Sequence, residues 1–331
     1  MSGSAAACAA RHDHYPAGDA PRRARIRAAV ADLDARWRRA DAATGGLGAA
    51  IDAAADDAPE QAVARFLPWL ADLRWLHRRL GDALALLAAD PFARPPLRAV
   101  GGGDGSAGGV ILAERGAVRL TLHIRPASAP PPTHALFVPG RSAIRVLAAG
   151  GASLCLHEVT VGAAEEAGGF TAARASACRS LVPRPLCDGE MLHLDTARQS
   201  YHLDGARGDV LLLELAVQPA ARLPVRSYDL ASRRLAGVGA AQQGASLRAM
   251  TLTLLRHLGR ADAAPLFVAE TQKGDFAARW HAMRELVALD PAAAHPHLAA
   301  MAAADPHAEV RAAAAATLAL LKSPSPSGEG L

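Results

Sequence analysis

Histidines in the middle third of the chain carry the most informative chemistry. His134 follows three prolines in the segment PPPTHALFVPGRSAIRVL, and His202 lies in the segment GEMLHLDTARQSYHL. Further candidates lie on separate predicted strands: His123, His157 with the adjacent Glu158, and His193. Imidazole and carboxylate groups bind metals and transfer protons. This set could therefore hold a metal ion or line a site for an organic ligand, and the faces of the strands decide between these uses.

The residues around these histidines alternate with a period of two, which is typical of β-strands. His123 shares a strand face with Arg119 and Arg125. By the same alternation, other polar faces carry His157 with Cys155 and Ser153, and His193 with Met191 and Asp195. A polar face of this kind lines the interior of a small barrel or covers its outside, and alternation alone leaves both arrangements open.

Short strand-like runs follow one another from residue 110 to about 235. The segment GVILAERGAVRLTLHIRP contains two runs joined by a tight turn, with Val118, Leu120 and Leu122 at alternate positions. Later runs are HALFV, SAIRVLA, SLCLHEVTV, EMLHLD, SYHL and DVLLLELAV. Many short strands separated by Gly, Pro and Asp turns predict an antiparallel sandwich or barrel.

The middle region resembles a cupin, a small β-barrel that holds a metal on histidines near one end. In the first cupin motif, His134 stands at the first histidine, whereas Leu136 occupies the second. The glutamate position falls on Gly140 or Arg141, and Gly150 can serve as the closing glycine. In the second motif, from Gly189 to Leu203, Ser200 stands at the histidine position and His202 comes two residues later.

These departures predict a degenerate cupin-like barrel. A mononuclear catalytic site needs about three protein ligands and an open position. The motif positions offer only His134 and His202, so iron or another divalent metal is a possible cofactor and no catalytic residue is predicted. The alternative is an organic ligand, or none, with His123, His157, Glu158 and His193 as the candidate ligand-binding residues.

Helical patterns flank the sheet region on both sides. Residues 21–98 carry an apolar stripe at helical spacing that includes Phe66, Leu70 and Leu76. Such a stripe forms a protein-binding groove or, more commonly, the core of a helical domain. Pro68 is expected to kink or divide the second helical block. The glycine-rich segment AVGGGDGSAGG predicts a flexible linker to the strands.

The region 244–322 resembles a short stack of HEAT repeats, which are paired-helix units. Its segment PHLAAMAAADPHAEVRAAAAATLALLK would place Asp305 and Pro306 in the turn between two helices. Arg279 in the upstream helix stands where Arg311 stands in the second helix. The resemblance implies arginines that tie neighbouring turns together, and a stack that binds other proteins or braces a domain.

Composition narrows the class of protein. The chain has 36 Lys and Arg against 32 Asp and Glu, which is too even for a nucleic-acid or anionic-membrane surface. Its four cysteines form no C-x-x-C pair, and no apolar run reaches the roughly 18 residues of a membrane span. We expect a cytoplasmic protein. His12 and His14 lie in an amino-terminal stretch that is expected to be flexible.

Together these patterns predict an α+β multidomain chain. Its parts are a flexible terminus (1–20), a helical domain (21–98), a cupin-like antiparallel β-barrel (110–235), HEAT-like helical hairpins (244–322) and a disordered tail (323–331). The favoured function is a non-catalytic ligand-sensing or scaffolding protein, with an unknown protein partner at the helical regions and a small molecule in the barrel. The alternative is a metal-dependent cupin enzyme, similar to the iron oxygenases of the cysteine dioxygenase kind. No interface or oligomeric state is predicted.

Overall fold

The helical–sheet–helical order predicted from the sequence is confirmed by a computed structural model. The structure describes residues 19–101, 107–240 and 243–322. The predictions for the terminus with His12 and His14, the centre of the glycine linker and the tail from residue 323 lie outside these ranges. Within these ranges, no helix has both the length and the apolar character needed to cross a membrane.

Among the described residues, four helices precede the sheets: α1 (Ala20–Ala42), α2 (Leu47–Ala54), α3 (Pro59–Ala71) and α4 (Arg74–Ala89). Asp19 caps α1, because its Oδ1 accepts a hydrogen bond from the backbone N–H of Arg22 at 2.9 Å. Pro68 lies inside α3, and the helix ends three residues later, at Ala71. The break therefore falls beyond the proline, where Asp72 is extended and its carboxylate accepts from the N–H of Arg74 at 3.1 Å.

In the part of the middle region that the structure describes, the chain forms thirteen strands. Their bounds are β1 (Arg98–Gly101), β2 (Gly108–Arg115), β3 (Val118–Arg125), β4 (His134–Phe137), β5 (Arg141–Ala148), β6 (Ser153–Glu158), β7 (Arg179–Ser180), β8 (Arg184–Pro185), β9 (Met191–Asp195), β10 (Gln199–Asp204), β11 (Val210–Val217), β12 (Val225–Asp229) and β13 (Leu235–Gly239). Between β6 and β7 the chain forms two short helical turns, Glu165–Gly169 and Ala172–Arg174.

All strand pairs are antiparallel, in three sheets. The largest has the order β1-β2-β3-β11-β5-β9. A second sheet has the order β10-β6-β7, with β8 also paired to β6, and a third has the order β13-β12-β4. The pairs found among the described residues close no barrel, so the predicted barrel is observed as open sheets that share a core.

Each face of the six-stranded sheet packs against a different layer. On β11, Leu213 and Leu215 point to the amino-terminal helices, where Phe66 of α3 is completely buried. Val210 and Leu212 point the other way and join a core that includes side chains of β6 and β10. The helical stripe is thus core rather than a groove for a partner, and that core is shared with the sheet.

The carboxy-terminal region comprises α5 (Gln243–His257), a short turn (Ala261–Ala263), α6 (Ala264–Glu270), α7 (Phe276–Leu289), α8 (Pro291–Ala304) and α9 (Ala308–Lys322). Asp305, in the turn between α8 and α9, receives two hydrogen bonds from Arg279 at 2.9 and 3.0 Å. Arg311 donates to the carbonyl of Asp305 at 2.6 Å. Arg279 and Arg311 therefore both bind the turn at Asp305. That the region belongs to the HEAT class stays a prediction.

We expect the substitution Phe66→Ala to lower the free energy of unfolding by about 3–5 kcal/mol, because it removes a buried ring between α3 and the sheet. Chemical denaturation of the full chain measures this loss. The control is Leu84→Ala on α4, whose side chain is 64% exposed. That control should change stability by no more than about 0.5 kcal/mol. Equal effects of the two substitutions would contradict the shared core.

Candidate functional site

An inner cavity of about 150 Å³ lies beside β11, on the face of the six-stranded sheet that points away from the amino-terminal helices. Its apolar wall consists of Leu136, Val138, Leu194 and Ala216. Its polar lining consists of Arg141, Thr196, Gln199, Ser200, Tyr201, Glu214 and Gln218. The cavity therefore combines one apolar side with a cluster of hydrogen-bonding groups, which is the usual composition of a small-molecule site.

Three lining residues stand at positions that the cupin resemblance assigns to metal ligands. They are Leu136, Arg141 and Ser200. Leucine offers no donor atom, arginine is cationic, and a serine hydroxyl is a poor ligand for transition metals. His134, two residues before Leu136, lies at the exposed start of β4 and is not among the lining residues. The inner cavity consequently lacks the donor set of a metal-dependent cupin.

Glu214 is the charged group at the centre of the polar lining. Its Oε1 accepts a hydrogen bond from Ser142 Oγ at 2.6 Å, and its Oε2 lies 2.9 Å from His123 Nε2. Burial acts to raise the pKa of Glu214, but the hydrogen bonds from His123 and Ser142 and the charge of Arg119 outweigh it. Because the pKa therefore lies below its usual value, the carboxylate stays ionised and able to accept further hydrogen bonds.

Two neutral hydroxyl groups add to this lining. Thr196 Oγ1 is buried and, among the described residues, has no hydrogen-bond partner. Burial, together with the charge of Glu214, raises the pKa of Tyr201 far above its usual value, so its phenol stays protonated. An unpartnered buried hydroxyl is destabilising unless a ligand or an ordered water satisfies it.

A second group of side chains lies on the opposite face of β6 and β10. In the antiparallel register of these strands, Cys155 lies across from His202, and His157 lies two residues from Cys155 on the same face. Leu154 and Leu203 belong to the inner core, so the residues that alternate with them point away from it. We call Cys155, His157 and His202 the outer cluster.

The outer cluster brings three possible metal ligands within 4.8 Å of one another. His157 Nε2 lies 2.7 Å from His202 Nδ1, and the two rings are stacked. His157 Nδ1 lies 2.9 Å from Ser180 Oγ on β7. Cys155 and His157 are 7% and 1% exposed, whereas His202 is half-buried. This group could bind a metal ion.

Burial controls the protonation of the outer cluster. Burial and the neighbouring charge of His202 lower the pKa of His157 to about 4. Burial also lowers the pKa of His202, an effect that Asp204 opposes and Arg125 reinforces. Near neutral pH both imidazoles are therefore uncharged, which is the form that binds metals. Burial and Asp204 raise the pKa of the Cys155 thiol.

The other predicted residues lie apart from the outer cluster. His123 contacts Glu214, and Glu158 binds Arg179 at 2.6 Å and Gln199. His193 is exposed on β9, on the face opposite to Leu194 of the inner cavity. Sequence reasoning named His202 as a metal ligand and His157 as an organic-ligand residue, whereas the structure brings the two side chains together. It noted Cys155 only as a residue on the same strand face as His157, and it missed Thr196 and Glu214. For Glu214 a signal existed, because it is the lone charge within the apolar run VLLLELAV.

Comparisons with known proteins give a loose structural likeness only. No family model matches the sequence, and no curated protein matches it. Structurally, the chain is similar to a cupin domain from Bordetella pertussis Tohama I, with 12% identity over 34% of this chain and 93% of that chain and a TM-score of 0.23.

Two further solved structures are comparable neighbours. Ectoine synthase from P. lautus has 16% identity over 35% of this chain and 66% of its own, with a TM-score of 0.22. A conserved protein with a double-stranded β-helix domain from Klebsiella pneumoniae subsp. pneumoniae MGH 78578 has 8% identity over 36% of this chain and 82% of its own, with a TM-score of 0.24. These likenesses cover about a third of the chain, and the fold described above therefore rests on the strand pairing.

We expect Thr196→Val to raise the stability of the ligand-free chain by about 1 kcal/mol, because it removes an unpartnered buried hydroxyl without changing the side-chain shape. Thermal and urea unfolding measure the change. The matched control is Thr271→Val, which removes a buried hydroxyl that donates to the carbonyl of Val268 at 2.7 Å. The control should lose about 1 kcal/mol, and a loss of stability in Thr196→Val would contradict the assignment.

Proposed function

We propose that the chain is a non-catalytic small-molecule sensor whose ligand occupies the inner cavity. One observation carries this proposal: three of the positions that the cupin resemblance assigns to metal ligands hold Leu136, Gly140 or Arg141, and Ser200, and of these Leu136, Arg141 and Ser200 line a cavity of about 150 Å³. A cavity whose lining includes an ionised carboxylate but no histidine or cysteine is better suited to binding an organic molecule than to the metal chemistry of a cupin.

The lining defines the chemistry of the ligand. Glu214 accepts hydrogen bonds, so the ligand presents an N–H or O–H group to it. Thr196 Oγ1 offers a hydroxyl that a second polar atom of the ligand can satisfy. Leu136 and Leu194 contact an apolar part. The cavity opens to solvent beside Leu136, which is 56% exposed, and the part of the ligand that the cavity encloses is about as large as benzene.

Arg141 gives the cavity a connection to the helices. Besides lining the cavity, it binds Glu60 on α3 at 2.8 Å and Asp195 on β9 at 2.5 Å. A ligand that competes for this guanidinium would loosen its bond to Glu60 and change the packing of α3 on the sheet. In this proposal the helical regions carry the signal to a protein partner, whose identity stays a prediction.

The alternative, a metal-dependent cupin oxygenase with His134 and His202 as ligands, is less favoured. His202 alternates with Tyr201 and Leu203, which pack in the inner core, and lies beside Cys155 and His157 instead. His134 alternates with Ala135 and shares the face of Leu136, which lines the cavity. His202 points away from the cavity, whereas His134 lies on the cavity side of β4. The two imidazoles therefore do not meet at one ion.

Binding can be tested with a panel of small amines, amides and alcohols, using ligand-observed NMR and thermal shifts on the full chain. We expect at least one compound to bind and to be recovered chemically unchanged. Glu214→Gln should weaken that compound about tenfold or more, because it removes the charged acceptor.

A substitution that fills the cavity gives a sharper test than Glu214→Gln. Ala216→Leu adds bulk to the cavity wall and should abolish binding, whereas Ala163→Leu, at an exposed residue outside the cavity, should leave affinity unchanged. Unchanged binding in Ala216→Leu would place the ligand elsewhere. Conversion of the compound into a product by the wild-type chain would contradict the non-catalytic role.

A further inference from the structure

The outer cluster has the chemistry of a metal site that is separate from the inner cavity. One thiol and two imidazoles make an N₂S donor set. Thiolate and imidazole ligands bind zinc, copper and cobalt, whereas magnesium and calcium take oxygen ligands. We propose that Cys155, His157 and His202 bind one zinc-class ion on the outer face of β6 and β10. This inference does not depend on the ligand proposed for the inner cavity.

Geometry supports a single shared ion. Zinc–nitrogen bonds of about 2.0–2.1 Å in a tetrahedron place two ligating nitrogens about 3.3 Å apart. The distance between His157 Nε2 and His202 Nδ1 is 2.7 Å. Opening the pair by about 0.6 Å would make room for the ion. The two histidines lie on hydrogen-bonded strands, with Cys155 directly across from His202, so the backbone already holds the donors in place.

A second contact orients His157 for this role. When its Nδ1–H donates to Ser180 Oγ, its Nε2 keeps a lone pair that faces His202. Histidine ligands commonly donate their other ring N–H to a neighbouring group in this way, which fixes the tautomer and the ring orientation. Ser180 lies opposite His157 on β7, so a third strand supports the site. His202 would ligate through Nδ1 and carry its proton on Nε2.

Burial and charge favour a bound cation over an empty pair of histidines. His157 is 1% exposed, and its Nε2 contacts the imidazole of His202. Asp204, two residues after His202 on the same face, acts electrostatically on both Cys155 and His202. Binding releases the proton of the Cys155 thiol to water and involves no change of oxidation state. The half-buried side of His202 leaves the fourth coordination position to water.

Two of the three ligands are buried, because Cys155 and His157 are 7% and 1% exposed. An ion here would join β6 to β10 through side chains and raise the stability of the four-stranded sheet. Because the ion binds the folded chain, the melting temperature should rise with zinc concentration.

The test uses the full chain without a histidine tag, treated with a chelator and then titrated with Zn²⁺ and Co²⁺. We expect one ion per chain by elemental analysis. Cobalt should show tetrahedral bands and a sulfur-to-cobalt charge-transfer band. Three shape-conserving variants, Cys155→Ser, His157→Gln and His202→Asn, should each weaken zinc binding at least tenfold, and Cys155→Ser should lose the charge-transfer band. His134→Ala and Cys187→Ser are the matched controls and should bind as the wild type does.

Alkylation of the wild-type chain keeps the test decisive where a variant does not fold. Zinc should protect Cys155 from a thiol reagent, as read by peptide mass spectrometry, while the exposed Cys187 reacts at the same rate with and without zinc. Absence of stoichiometric binding in the folded wild-type chain would overturn the proposal. So would zinc binding that His134→Ala abolishes and Cys155→Ser leaves intact, since that pattern belongs to an ion in the inner cavity.

Discussion

The alternation of side chains along the central strands is the constraint on which the rest of the structure depends. On β11, every second residue packs against the amino-terminal helices, and the residues between them face the inner core. A slip of one residue would exchange these two faces. Glu214 occurs in an otherwise apolar strand, at a position that faces the cavity, and its partners Ser142 and His123 come from the two strands that flank β11. The alternation thus places a charge on the wall of the cavity.

The same alternation separates two kinds of chemistry on β6 and β10. Tyr201 faces the inner cavity, whereas Cys155, His157 and His202 face outward. The inner side offers a carboxylate and hydroxyls, which suit a small organic molecule. The outer side offers a thiol and imidazoles, which suit a zinc-class ion.

Sequence patterns predicted the order of the three regions and the pairing of polar side chains on each strand, because helix and strand periods are local properties. Patterns could not tell the inside of the sheet from its outside, since that depends on which layers cover it. For the same reason, the helices before the strands were expected to form a domain of their own, although Phe66 packs on the sheet. The unpartnered hydroxyl of Thr196 depends on tertiary contacts and leaves no local signal.

The central claim is that metal and organic ligand occupy opposite faces of β10. Crystals of the full chain grown with zinc would test it most directly, by anomalous diffraction at the zinc absorption edge. The account predicts one anomalous peak bonded to Cys155 Sγ, His157 Nε2 and His202 Nδ1, and no peak within the cavity beside Leu136 and Glu214. A peak in that cavity, with the outer cluster unchanged, would contradict it.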